Sequence, residues 1–190
     1  ARVSNGQVRV FNSAGCTHVL LDVVGYSRSG TGNGFTPIDP ARVKDTRIGT
    51  GGAAGPIDAG QTQTLSLAGV GGVPLVADAV VLNVTVVDPT ATGFLTVSPA
   101  GGVRPDASNV NFTAGTTIAN LVIAKLDASN RIDLYNSAGT AHVLVDVFGF
   151  YTSSGDTYIP VAPTRLFDVR TTNAFGAADR RDVAITGTAV

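Results

Sequence analysis

The chain has 190 residues and a formal net charge of -1, and it contains no glutamate, methionine or tryptophan. With Lys44 and Lys125 as its only lysines, it nearly lacks the straight-chain residues of exposed helical faces, which excludes a helical bundle or coiled coil. So small a charge supplies no field for collecting nucleic acid or anionic lipid, and no apolar run nears the roughly 20 residues of a membrane-spanning helix, so neither nucleic-acid binding nor membrane insertion is expected.

Taken in order, residues 8–26 (VRVFNSAGCTHVLLDVVGY) are the first half of an internal repeat: residues 132–150 (IDLYNSAGTAHVLVDVFGF) match them at ten of nineteen positions. A Ser/Gly-rich stretch, 27–34, has linker composition. Phe35-Thr-Pro-Ile-Asp-Pro-Ala-Arg-Val-Lys-Asp-Thr-Arg47 then opens a unit and is echoed by Tyr158-Ile-Pro-Val-Ala-Pro-Thr-Arg-Leu-Phe-Asp-Val-Arg170. Within the unit, strand-like runs separated by turn residues cover 61–68, 79–87, 93–98, 108–113, 118–127, 131–135 and 141–150. Leu82, Val84 and Val86 alternate with Asn83, Thr85 and Val87 as in a half-buried strand, and the continuous apolar run 142–148 belongs in the middle of a sheet. A second linker, 152–157, precedes a second head, in which 182–188 weakly echo 64–70.

The fold expected is all-β, an antiparallel β-sandwich or barrel repeated about every 120 residues. Residues 1–26 read as the tail of one unit, 35–151 as a complete unit and 158–190 as the head of another, so the chain is expected to be a section of a longer tandem array. The combination of the Phe-x-Pro-x-x-Pro-x-Arg-x-x-Asp-x-Arg head, the block at 80–90 with Gly-Phe-Leu-Thr-Val at 93–97, and the Asn-Ser-Ala-Gly-x-x-His-Val-x-x-Asp-Val-x-Gly-Tyr tail resembles repeats of large secreted or cell-surface proteins of high-GC actinobacteria. The resemblance implies export, tandem repetition and a β-rich unit, and it carries over no catalytic residue.

Two constellations stand out. Asp45 with Arg42 and Arg47, echoed by Asp168 with Arg165 and Arg170, fits a charge-assisted pair fixing the head of each unit. His142 and Asp146, echoed by His18 and Asp22, lie four apart on a strand, roughly 13 Å at about 3.3 Å per residue, too far for an acid–base dyad. They are expected to satisfy separate structural partners. The glycine-rich run 47–55 lacks the helix that makes such a loop a phosphate cradle, and reads as a surface loop. The Asp-Ala-Ser-Asn turns at 106–109 and 127–130 offer one carboxylate each, where calcium needs six to eight oxygens, so Asx turns and no cofactor are expected. Cys16 stands where the other copy has Thr140, and a small buried residue is expected there.

No nucleophile context or paired-cysteine metal spacing is present, and the reading is of a non-enzymatic, extracellular structural repeat protein. Its expected partners are neighbouring copies of itself or adjacent repeats of the same chain, with assembly into a fibre or surface layer by strand complementation. The alternative is a carbohydrate- or surface-binding adhesive module, for which Tyr26, Tyr135, Phe150 and Tyr151 are the candidate aromatics.

Overall fold

The computed structural model describes residues 5–27, 34–153, 158–170 and 172–185. Most of the two expected linkers, 28–33 and 154–157, lies outside the described residues, as do 1–4 and 186–190 at the outer ends of the expected tail and head. The described chain is all-β, with antiparallel sheets and no closed barrel.

Eight consecutive strands build the central part. They are β3 (Gly34–Asp45), β4 (Thr62–Ser66), β5 (Ala79–Val87), β6 (Gly93–Pro99), β7 (Val110–Phe112), β8 (Ile118–Lys125), β9 (Arg131–Asn136) and β10 (His142–Thr152). One sheet has the order β3-β10-β5-β8 and the other β4-β9-β6-β7. The inward residues of the first, among them Val43, Leu82, Val84, Val145 and Val147, meet Leu65, Leu95, Val97, Ile132 and Leu134 of the second in one apolar cluster. This is a β-sandwich whose core is supplied by alternate residues of each strand. In β5 the alternation is plain, with Leu82, Val84 and Val86 fully buried and Asn83, Thr85 and Val87 half-buried.

Sequence patterning does not mark β3 as a strand, because Pro37 and Pro40 interrupt it. Its place resolves this: among the described residues β3 is an edge strand, bonded to β10 on one side only, and a proline on the open side removes no ladder bond there. Two register shifts in the β3–β10 pair, between Val145 and Asp146 and between Val147 and Gly149, absorb the irregularity. Gly149 is needed at the second, since a Cβ there would sit 2.4 Å from the Phe35 ring and 2.7 Å from the Thr36 carbonyl oxygen. Phe35 therefore lies over the glycine and packs against Tyr151, ring centroids 5.2 Å apart.

The remaining strands, β1 (Gln7–Phe11), β2 (Leu20–Ser27), β11 (Tyr158–Asp168) and β12 (Arg180–Ala184), form two two-stranded sheets, β1-β12 and β11-β2. The two ends of the chain thus pair with each other, in the registers of the central sandwich. Leu20 faces Asp168, Asp22 faces Arg165 and Tyr26 faces Ile159, as Leu144 faces Asp45, Asp146 faces Arg42 and Phe150 faces Thr36. Val8 faces Val183 and Val10 faces Arg181, as Ile132 faces Leu65 and Leu134 faces Gln63. The isolated bridge between Thr17 and Phe175 repeats that between Ala141 and Ile57.

Asn136 shows how the motif Asn-Ser-Ala-Gly works. Its fully buried amide donates to the carbonyls of Ile57, at 2.8 Å, and Gly139, at 3.0 Å, joining two loops at one end of the sandwich. Asn12 repeats the two bonds with Phe175 and Gly15, at a half-buried position. Replacing Asn136 by Ala should cost about 2–3 kcal/mol, because a fully buried amide is lost together with its bonds to both loops, although the Ile57 carbonyl keeps the Ala141 N–H, while Asn12→Ala costs about 1 kcal/mol; urea unfolding of both variants measures the difference. Gly149→Ala should cost about 1–3 kcal/mol as the Phe35 ring is displaced, read in the same experiment.

Candidate functional site

The charged residues singled out by the repeat converge in two equivalent places. In the central sandwich, Arg42 on β3 bonds Asp146 on β10 through Nε and Nη2, the latter at 3.1 Å, and reaches Asp45 with Nη1 at 3.3 Å. Arg47 binds Asp45 from the other side, Nε to Oδ1 at 3.0 Å and Nη2 to Oδ2 at 2.7 Å, and its backbone N–H donates to Oδ1 as well. The partner of Asp146, separate from His142, is Arg42, 104 positions away in sequence. The second set is the same: Arg165 bonds Asp22 and Asp168, and Arg170 clamps Asp168 through its side chain and backbone N–H.

These contacts set the electrostatics. The Arg47 guanidinium, bonded directly to Asp45, holds its carboxyl far below the usual carboxylate range, and Arg170 does the same for Asp168. Both carboxylates therefore stay ionised throughout the physiological range and have no proton to donate. Asp146 in turn raises the basicity of Arg42. The arrangement is a latch, with one guanidinium spanning two strands and a second closing the turn that follows the edge strand.

The histidines do not join the aspartates. Thr46 Oγ1 accepts the Val143 N–H at 2.9 Å and lies within hydrogen-bond distance of His142 Nδ1, at 3.0 Å, so one hydroxyl ties the ring to the backbone of its own strand. His18 Nδ1 lies 3.1 Å from the carbonyl oxygen of Val169, an acceptor only, so there the ring nitrogen donates. The two copies thus give this ring nitrogen different partners, a hydroxyl in one and a backbone carbonyl in the other, with Thr46 replaced by Val169.

Lys44, not anticipated from sequence, is 2% exposed, with Nζ 3.3 Å from the Gly51 carbonyl oxygen. Burial lowers its basicity. Gly51 turns the glycine-rich loop back over it with φ of 69°, and a Cβ at Gly51 would fall 2.2 Å from the Val43 carbonyl oxygen. The other copy has Phe167 at this position, packed edge-on against Phe175.

Cys16 is exposed, which corrects the expectation of burial. Its counterpart Thr140 is covered by Thr90, whose backbone N–H donates to the Thr140 carbonyl at 2.9 Å, and Thr90 belongs to the β5–β6 turn, which no described residue reproduces beside Cys16. Asp127 forms the expected Asx turn, accepting from the N–H groups of Ser129 and Arg131. Among the described residues, no three histidine, cysteine or acidic side chains come together as cation ligands. Of the candidate aromatics, Tyr135 lies under the Arg104 guanidinium, 4.2 Å from the ring centroid, and Tyr151 packs against Phe35 with the rings tilted by 47°.

Beside the second latch is a cleft of about 320 Å3 where Leu20, Asp22, Arg165 and Arg170 face Phe94 and Asp106 of the central sandwich. Asp106 adds to the field that raises the basicity of Arg170, whose main partner remains Asp168. No protein-family model matches the chain, and no curated protein matches it.

The latch predicts an acid limit to stability. Because Asp45 and Asp168 bind a proton less readily folded than unfolded, their contribution is complete above the ordinary carboxylate value of about 3.9 and is lost as pH falls below it. Thermal unfolding between pH 6 and 3 should show a shallower pH dependence for Asp45→Asn than for the native chain. Lys44 acts in the opposite range: its folded form releases a proton more readily, so stability rises as pH climbs toward about 10.4, and Lys44→Met should abolish that rise in denaturant titrations at pH 8 and 10.

Proposed function

We propose that the chain is a section of an extracellular structural protein in which β-sandwich units of this kind follow one another and assemble into a fibre or surface layer. Its partners are further copies of itself or adjacent repeats, and its work is architectural, requiring no cofactor. The observation that carries the reading is the reuse of one pairing scheme. The strands within 7–27 and 158–184 adopt the registers of β9 with β4 and of β10 with β3, latch included. A catalytic site is needed once, whereas a charge clamp spent on securing a proline-bearing edge strand is needed in every unit.

The resemblance of the head and tail motifs to secreted actinobacterial repeats supports the location, and a lone cysteine suits a chain that must fold outside the cell without a disulfide. Assembly would run through β1 and β2, each of which has a single strand partner among the described residues. Sedimentation velocity across a hundredfold range of concentration (~1–100 μM), with electron microscopy of the same samples, tests the reading. Head-to-tail oligomers that grow with concentration are expected, and a monomer at every concentration would overturn assembly.

A further inference from the structure

The central sandwich specifies what the open strands of the chain ends would accept. β10 is flanked by β3 and β5 and β9 by β4 and β6, whereas among the described residues β2 pairs only with β11 and β1 only with β12. Burial records the difference. Val145, Val147, Ile132 and Leu134 are fully buried, while their counterparts Leu21, Val23, Val8 and Val10 are half-buried, and Phe11 is 51% exposed. A one-sided strand with a half-covered apolar face is a template for strand addition. The central sandwich meets β2 across the cleft, on the face that carries Leu20 and Asp22, and pairs with it along neither edge.

In the complete unit a single segment, residues 79–99, covers both positions. β5 pairs with β10, with Asn83 opposite Asp146, and β6 pairs with β9, with Val97 opposite Leu134. The arch between them places Thr90 on Thr140, their hydroxyl oxygens 3.3 Å apart. We infer that β1 and β2 together bind such an arch from another repeat of this kind. The β5-type strand lies antiparallel to β2 with its asparagine opposite Asp22, the β6-type strand lies antiparallel to β1 with a valine opposite Val10, and the turn seats on Cys16. The inference rests on the repeat-array reading and adds to it the identity of the donor strands and their register.

Cys16, the single cysteine of the chain, makes the register testable. The probe is a synthetic peptide of residues 79–99 carrying Thr90→Cys, mixed with the 190-residue chain under mild thiol–disulfide exchange. The inference expects a mixed disulfide with Cys16, formed roughly tenfold or more faster than with a peptide carrying Ser98→Cys, because docking raises the effective concentration of only one thiol. Hydrogen exchange should slow at residues 7–11 and 20–26 on peptide binding, and Val84→Asp in the peptide should remove both effects without altering the chain. Equal rates for the two cysteine positions, or protection elsewhere, would overturn the inference. If the chain assembles in sedimentation but ignores the peptide, the donor assigned here is wrong and the array reading stands; if it neither assembles nor binds, both fail.

Discussion

An edge strand containing prolines cannot hold itself to a sheet through its backbone alone. In β3 the ladder to β10 is interrupted twice, and the residues at those interruptions do what the missing backbone bonds would have done. Arg42 spans from its own strand to Asp146 and turns its remaining donor to Asp45, while Arg47 closes the far side of the same carboxylate. Such bonds between charged groups are stronger than the neutral amide bonds they replace, and their planar geometry fixes the register. At the second interruption Gly149 admits the Phe35 ring, so one shift is secured by charge and the other by an aromatic laid over bare backbone. With β3 anchored, Val43 reaches the core and the turn that follows can fold over Lys44.

The two versions of this scheme differ where their surroundings differ. Lys44 needs the Gly51 carbonyl, and the copy with Phe167 has lost most of the corresponding glycines, as an apolar ring needs no acceptor. Replacing Thr46 by Val169 removes a hydroxyl, and the neighbouring histidine bonds a backbone carbonyl in its place. Conversely, the two arginines, the aspartate between them and the aspartate across the strand are the same in both, since a guanidinium clamp fails if either partner is exchanged. The clamp is thereby separated from the variable packing around it.

Much of this was legible from the residues. The repeat, the all-β class, the alternation in β5 and the interior position of the apolar run 142–148 all follow from periodicity and self-comparison, which report local chain geometry. The latch was half legible: Asp45 with its flanking arginines shows in sequence, but the bond from Arg42 to Asp146 joins residues that meet only through the sheet order. β3 was hidden because proline speaks against a strand unless its edge position is known. Burial of Lys44 and exposure of Cys16 were hidden for a related reason, since both depend on what a distant segment does: the loop around Gly51 covers one, and among the described residues no equivalent of the Thr90 turn covers the other.

The pairing of β1 with β12 also has a mechanical meaning. The Ile185 N–H donates to the Gly6 carbonyl at 2.8 Å, so the outermost described residues of the two strands lie side by side at one end of an antiparallel ladder. Tension entering the molecule through these two points would peel the ladder open one bond at a time instead of shearing all of its bonds together, and peeling needs the smaller force. The load would be spent on β1 and β12, and then on β2 and β11, before reaching β3 to β10. A molecule so connected would extend under tension by opening its terminal sheet while its sandwich remained folded, a fuse placed in series with the stronger element.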